Sequence, residues 1–355
     1  LIEDSLLEPT ATNFLVAIEH DIVGWGAACI DVSTGEFWAT QALNDRDSRR
    51  LFDLLARLRP AEVLAQAKAS QDLNLKQALG GTCLTLIPTE DGRAAAPWMK
   101  DAVWVKHHLA ARAASRCRAY VAESRFHLRD LLAPSYRESA SEMQLDDTAI
   151  RTLELVDSAS GERKHSLWGL LNRCRTPMGS RKLRHWILHP STDLSEIELR
   201  QNCVEDLYDK SAERRALADA LGSVSDLPRV ISRLSTRQAG PRDLGALRLS
   251  LAQLPGLVGL LTGAKLCPGL ETLAERLEAA RGSLAACEVF LGRALVDEPP
   301  ARLSDGRLIR AGYHAELDEL YRLKNDSRGF LESLEETERR ATGIGSLKAG
   351  YNSVF

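Results

Sequence analysis

The sequence predicts an α/β domain followed by an all-helical one. Three observations carry this. The first 130 or so residues alternate short β-rich apolar runs with helical stretches. After Pro134 the strand signals nearly vanish and amphipathic helices take over. The chain has 355 residues, more than a single hydrophobic core usually serves.

The elements follow in order. Asn13–Glu19 (NFLVAIE), Gly24–Val32 (GWGAACIDV) and Gly35–Thr40 (GEFWAT) read as strands, the last two joined through Ser33-Thr34-Gly35, a hairpin turn. Asp45 to Leu58 reads as a helix with Leu51, Leu54, Leu55 and Leu58 on one stripe, ended by Pro60. Glu62–Ala65 is a short strand. Asp72 to Leu79 is a helix closed by Gly80-Gly81, and Cys83–Ile87 a strand stopped by Pro88. Three strands, helix, strand, helix, strand predicts a mixed sheet with helices packed on it. This order resembles ribonuclease H.

In the second part, Asp146–Val156 and Ser166–Asn172 read as helices. Asp193 opens another through a capping box with Glu196. Leu227–Leu234 and Pro241–Leu254 follow. The stretch from about Ala315 to Arg340 is the longest periodic one, with Leu317, Leu320, Leu323, Phe330, Leu331 and Leu334 near one face. Such a helix needs a neighbour along its length, which the chain does not supply. Thr342 to Phe355 (TGIGSLKAGYNSVF) reads as one strand leading away. A lone strand leaves both edges unpaired, so the expectation is a piece of a larger protein, cut at both ends. The domains expected are 1–133, 134–334 and a short third one beginning at 335.

Formal net charge is −3, from 46 basic and 49 acidic residues, which argues against broad electrostatic binding of nucleic acid. Seven cysteines at irregular spacing suggest neither a disulfide framework nor a zinc site. No run of 18 apolar residues predicts a membrane span.

Catalytic motifs are missing. The nearest piece to a G-x-x-x-x-G-K-[ST] loop, Thr262-Gly263-Ala264-Lys265-Leu266, lacks the glycine frame and the hydroxyl for magnesium. A two-metal nuclease needs converging carboxylates. Asp21 lies after the first strand and Asp31 late on the second, but the middle of the first, Phe14 to Ile18, carries no acid. His107 and His108 point about 100° apart on a helix and do not converge. His185 and His189 stand at i, i+4 with no third ligand apparent, which reads as structural. Phe330-Leu331-Glu332 matches F-x-E, the wedge that stacks on a mismatched base. Inside a helix it reads as core. No catalytic, cofactor or metal residue is expected, and the chain is read as no enzyme by itself.

The most specific signature is TPMGSRKLRHWILHPSTDLSEIELRQNCVEDL, Thr176 to Leu207. It resembles the core of the MutS family of DNA mismatch-repair proteins, whose pattern is T-P-M-G-x-R-x-L-x-x-W-[IL]-x-x-P followed by R-Q-x-x-[IV]-x-x-L. Thr176, Pro177, Met178, Gly179, Arg181, Leu183, Trp186, Ile187, Pro190, Arg200, Gln201, Val204 and Leu207 meet every fixed position. NFLVAIEHD…GWGAACIDVSTGEF resembles the family's connector domain, LDDTAIRTLEL the entry to its core, and LPRVISRLSTRQAGPRDLGALRLSLAQLP its lever helices. The stretch from Ala311 to Phe355 resembles the ascending lever helix and the first strand of the clamp.

The resemblance implies a non-catalytic ribonuclease H-like connector (1–133), a core and lever domain (134–334) and the start of a clamp (335–355). It implies that the parent dimerises, encircles and reads mismatched double-stranded DNA, hydrolyses ATP with Mg in a domain absent here, and recruits a MutL-like protein through the connector. It implies a bacterial cytoplasmic, nucleoid-associated setting. Lys348 and Asn352 become candidates for phosphate contacts. Pro177, Met178, Gly179, Arg181, Trp186 and Pro190 are read as a structural junction, where Arg181 and Arg184 tie helix ends or a neighbouring domain. The alternative is a stand-alone scaffold that binds a MutL-like partner without DNA or ATP.

Overall fold

The computed structural model describes residues 7–45, 48–66, 75–76, 79, 81–87, 97–123, 133–138, 142–263, 266–325 and 327–348. The first part is a six-stranded mixed sheet of order β5-β4-β1-β2-β3-β6. β1 (Phe14–Asp21), β2 (Gly24–Asp31) and β3 (Glu36–Leu43) form an antiparallel meander. β4 (Glu62–Gln66) pairs parallel with β1 and β5 (Cys83–Ile87) with β4. β6 (Ser135–Tyr136), two residues beyond position 133, pairs parallel with β3. The mixed sheet expected from the sequence is present.

The period of two along each strand gives the sheet two apolar faces. One face, with Phe14, Val16, Ile18, Trp25 and Cys29, packs on Leu51, Leu54, Leu55 and Leu58 of α1 (Arg49–Leu58). The other, with Leu15, Ala17, Ala28, Ile30 and Ala39, packs on α2 (Ala102–Lys106) and α3 (His108–Glu123). α3 meets the sheet through Ala110, Ala111, Ala113, Ala114 and Cys117, all small. That lets it lie close: a Cβ added at Gly26 would stand 2.3 Å from the backbone carbon of Leu109. α1 starts later than expected. Asp45 is used otherwise, its carboxylate accepting from Trp25 Nε1 (2.8 Å) and the Arg50 amide (3.1 Å). The helix expected over Asp72–Leu79 lies largely outside the described residues.

The second part is helical: α4 (Asp147–Thr152), α5 (Leu167–Leu171), α6 (Pro177–Leu188), α7 (Leu194–Asp209), α8 (Ser211–Gly222), α9 (Leu227–Ser235), α10 (Pro241–Ala252), α11 (Leu254–Gly263), α12 (Pro268–Ala294), α13 (Ala315–Asn325) and α14 (Ser327–Thr342). Three small cores serve them. Ile150, Leu155, Val156, Trp168 and Leu188 form one. Leu217, Leu257, Leu261, Leu270 and Ala274 form the second, and Leu251, Leu291 and Leu295 the third. Among the described residues, Pro241–Gly263 is apolar and long enough to cross a membrane by composition alone. It folds as α10 and α11, which set Leu251, Leu257 and Leu261 into those cores.

Three expectations need correction. α4 is shorter than Asp146–Val156: Asp146 caps it by accepting from the Ala149 amide (2.6 Å), and Glu154 adopts φ +50°, a left-handed conformation that cannot continue a helix. The capping box at Asp193 does not close. Asp193 accepts from the Ser195 amide (2.9 Å), while the Glu196 carboxylate accepts from Ser191 Oγ (2.6 Å) and pairs with Arg200. The helix expected from Ala315 to Arg340 is described as α13 and α14, residue 326 between them lying outside the described residues. The expected terminal strand is not formed over 343–348. Gly343, at φ +72°, ends α14 by donating its amide to the Arg339 carbonyl (2.9 Å), and a turn follows. Residues 349–355 lie outside the described set.

Candidate functional site

The residues of the Thr176–Leu207 signature stand where the sheet domain meets the helices. Thr176 caps α6, its hydroxyl accepting from the Gly179 amide (3.1 Å), and Pro177 follows at the first helical position. A Cβ at Gly179 would lie 3.0 Å from Thr176 Oγ1, so the small residue keeps the cap tight. Met178 packs against the core of Leu217 and Leu257. Trp186 is 40% exposed and lies beneath the Arg200 guanidinium, 4.2 Å from its ring centroid. The Pro190 carbonyl accepts from the Met143 amide (2.8 Å).

Arg181 is the hub. Its guanidinium donates two parallel bonds to Asp226 (2.7 and 2.8 Å) and a third to the Pro9 carbonyl (2.9 Å). The pair is nearly enclosed, so its fork geometry fixes α6 against the start of α9. Arg229, buried, adds bonds to the carbonyls of Glu8 (3.1 Å) and Ala11 (2.7 Å), and Arg163 reaches the Glu8 carboxylate (2.5 Å). Residues 8–11, which lead into β1, are thus held by three arginines of the helical part. Ser232 Oγ donates to the Val32 carbonyl (3.3 Å), and Arg59 pairs with Asp157.

Beside this seam lies a cleft of about 390 Å³, with Trp38, Arg57 and Arg137 from the sheet side and Lys182, Arg184 and His185 from α6. Burial, then the like charge of Arg59, brings Arg184 down to about 10. His185 and His189 stack, ring centroids 4.4 Å apart. Burial, followed by the His189 charge, pushes His185 down to about 3. Burial likewise lowers His189, although its Nδ1 lies 2.7 Å from Glu142 Oε2. Burial pushes the Glu142 carboxyl up, but the His189 hydrogen bond and the charges of His189 and Arg57 outweigh it and hold it below the usual range. Both imidazoles are therefore neutral near pH 7.

The acids of the sheet do not converge either. Asp31 Oδ1 accepts from the Asn13 amide and from the Ser33 amide and hydroxyl. Glu19, which the sequence reading passed over, is fully buried and paired with Arg116 and Arg112. Asp31 lies opposite Phe14 and Glu19 opposite Gly26, roughly 17 Å along the strand. Asp21 sits at the hairpin end opposite Gly24. Among the described residues, no three His, Cys, Asp or Glu side chains are grouped to hold a metal ion. Lys348 is exposed just past α14, and Asn352 lies outside the described residues.

Comparison with known proteins extends this picture. Residues 13–95 match the family model described as MutS domain II, and residues 148–342 the one described as MutS domain III. The whole chain aligns at 36% identity with DNA mismatch repair protein MutS of Myxococcus xanthus and at 36% with that of Methanothrix thermoacetophila. The protein of the same name from Thermus aquaticus is 34% identical. The alignments cover 41%, 40% and 40% of these relatives, so the chain spans about two fifths of their length.

Proposed function

The chain belongs to the MutS family, and from that premise we propose that it is the connector and lever of a mismatch-repair machine whose DNA reading and ATP hydrolysis are done elsewhere. The observation that carries this is the seam. Two successive family domains are joined by Ser232 on Val32 and by Arg59 on Asp157, and three arginines of the second hold residues 8–11, the segment that leads into the first. A stiff joint between a sheet domain and long helices passes on a displacement, because packed interfaces have few alternative arrangements. α12 alone, at 27 residues, spans roughly 40 Å.

In the assembled protein, the sheet domain is the surface for a MutL-like partner, and the protein works as a homodimer around mismatched double-stranded DNA. ATP and Mg act in parts beyond this chain, in a cytoplasmic, nucleoid-associated setting. Residues from 335 on begin a clamp, and Lys348 with Asn352 offers charge and hydrogen bonds to phosphate.

The test is a titration of the 355-residue chain with homoduplex and mismatched duplex at two salt concentrations, with an ATPase assay alongside. Binding is expected to be weak, salt-sensitive and equal for the two duplexes, with no ATP turnover. Tight preference for the mismatch, or ATP hydrolysis by this chain, overturns the assignment.

A further inference from the structure

The seven cysteines show no pairing pattern in sequence, yet the fold brings two of them together. Cys203, on α7, and Cys267, the residue that opens α12, have their Sγ atoms 3.4 Å apart, in hydrogen-bond contact across 64 positions of sequence. Both are partly exposed, so a small solute reaches them. Cys29 and Cys117, by contrast, are buried in the sheet domain.

The backbone around the pair is held for close approach. Asp206, one turn beyond Cys203, accepts from the Cys267 amide (2.7 Å) and is itself held by Lys210 Nζ (2.7 Å). Gly269 faces Cys203: a Cβ there would stand 2.7 Å from its Sγ. Any larger residue at 269 pushes the thiol away from its partner.

We propose that Cys203 and Cys267 form a reversible redox site, closed to an intramolecular disulfide by a peroxide-class oxidant and reopened by a dithiol. One Sγ, as thiolate, attacks a peroxide oxygen. The O–O bond breaks, the sulfur becomes a sulfenic acid, and the first water leaves. The second Sγ then displaces that hydroxyl as a second water. In sum, two S–H bonds and one O–O bond break, and one S–S bond and two O–H bonds form. Two electrons pass from the sulfurs to the peroxide. The sulfurs need to close from 3.4 Å to about 2.05 Å, a movement within side-chain rotation.

Burial, then the neighbouring Cys267, raises the Cys203 thiol to about 11, with Asp206 adding to the rise. The thiolate is scarce at neutral pH, so the site closes slowly there and faster as pH rises. Its closure clamps α7 to the head of α12.

The experiment treats the reduced 355-residue chain with hydrogen peroxide at about pH 8.5, followed by peptide mapping without reduction, thiol titration and thermal melting. Expected are a cross-linked peptide pair carrying Cys203 and Cys267, a loss of two hydrogens in mass reversed by dithiothreitol, and a melting temperature raised by about 5 °C or more. C203S and C267S are each expected to lose both the cross-link and the rise, while melting near wild type when reduced. Oxidation to sulfinic acid at either position without a cross-link overturns the proposal. So does a cross-link between two molecules, or one that leaves these two thiols free.

Discussion

The two halves of the molecule solve burial differently. In the sheet domain every residue of β2 is buried, and β1 is buried over its first six. Helices cover both faces, so the residues of the central strands have partners above or below. In the helical part, α7 buries no residue fully and α8 only Leu217. Val204, Tyr208, Leu194 and Phe290 stay more than half exposed. The sheet domain is held by volume, the helical part by narrow seams and ion pairs. The difference teaches where substitutions hurt: packing governs the first half, and a few charged junctions the second.

Substitutions in each half test that contrast. Gly26→Val has the largest expected effect, because the new side chain collides with backbone of α3 that is itself packed; a loss of about 3 kcal/mol or more should appear in urea unfolding. Leu15→Ala, at a position with no exposure, is expected to cost about 3 kcal/mol. If either melts like the parent chain, the sheet domain is not the tightly filled unit described.

Arg181→Ala removes both short bonds to the nearly enclosed Asp226, leaving Arg229 Nε at 3.8 Å, and frees the Pro9 carbonyl. About 2 kcal/mol is expected, with increased protease cleavage between the domains as the signature of a loosened seam. The stacked histidines give a pH dependence of known sign. Both have folded pKa values below that of a free imidazole, so their contribution is complete above about pH 6.5. It is lost as pH falls, over a window reaching toward about 3 for His185. Glu142 acts in the same direction lower in that range. Melting temperature should therefore drop between pH 7 and about pH 4.5, and drop less in H185Q. The smallest effect is expected at Tyr208, 76% exposed: its change to Ala should alter stability by under about 0.5 kcal/mol. A larger cost would mean that the helical part hides a packing partner for α7.

The same contrast explains what could be read from sequence. Strands β1 to β5 were legible because short β-rich apolar runs ended at Gly, Pro or turn residues; β5 was bounded to the residue. β6 was not, since two residues carry no period. α3 was passed over as an element because its buried face is alanine, whose hydropathy contrast is weak. α12 was missed although its leucines recur. Its burial is thin, only Leu270, Ala274, Leu291 and Ala294 being enclosed.

At the junction, Arg181 was legible as a tie but its partner was not. Asp226 stands at the N-cap position of α9, ahead of Leu227-Pro228. The structure gives its carboxylate to Arg181 instead, and no cap bond forms. Glu142 and Arg57 lay outside any motif, because contacts across about 85 residues leave no local pattern. The pairing of Cys203 with Cys267 was invisible for the same reason.

The grip of Arg163, Arg181 and Arg229 on residues 8–11 has a mechanical corollary. A tug arriving along the polypeptide ahead of β1 is caught by guanidinium groups of the helices before it strains any ladder of the sheet. Tension bypasses the domain that the segment enters and flows straight into the rods beyond it.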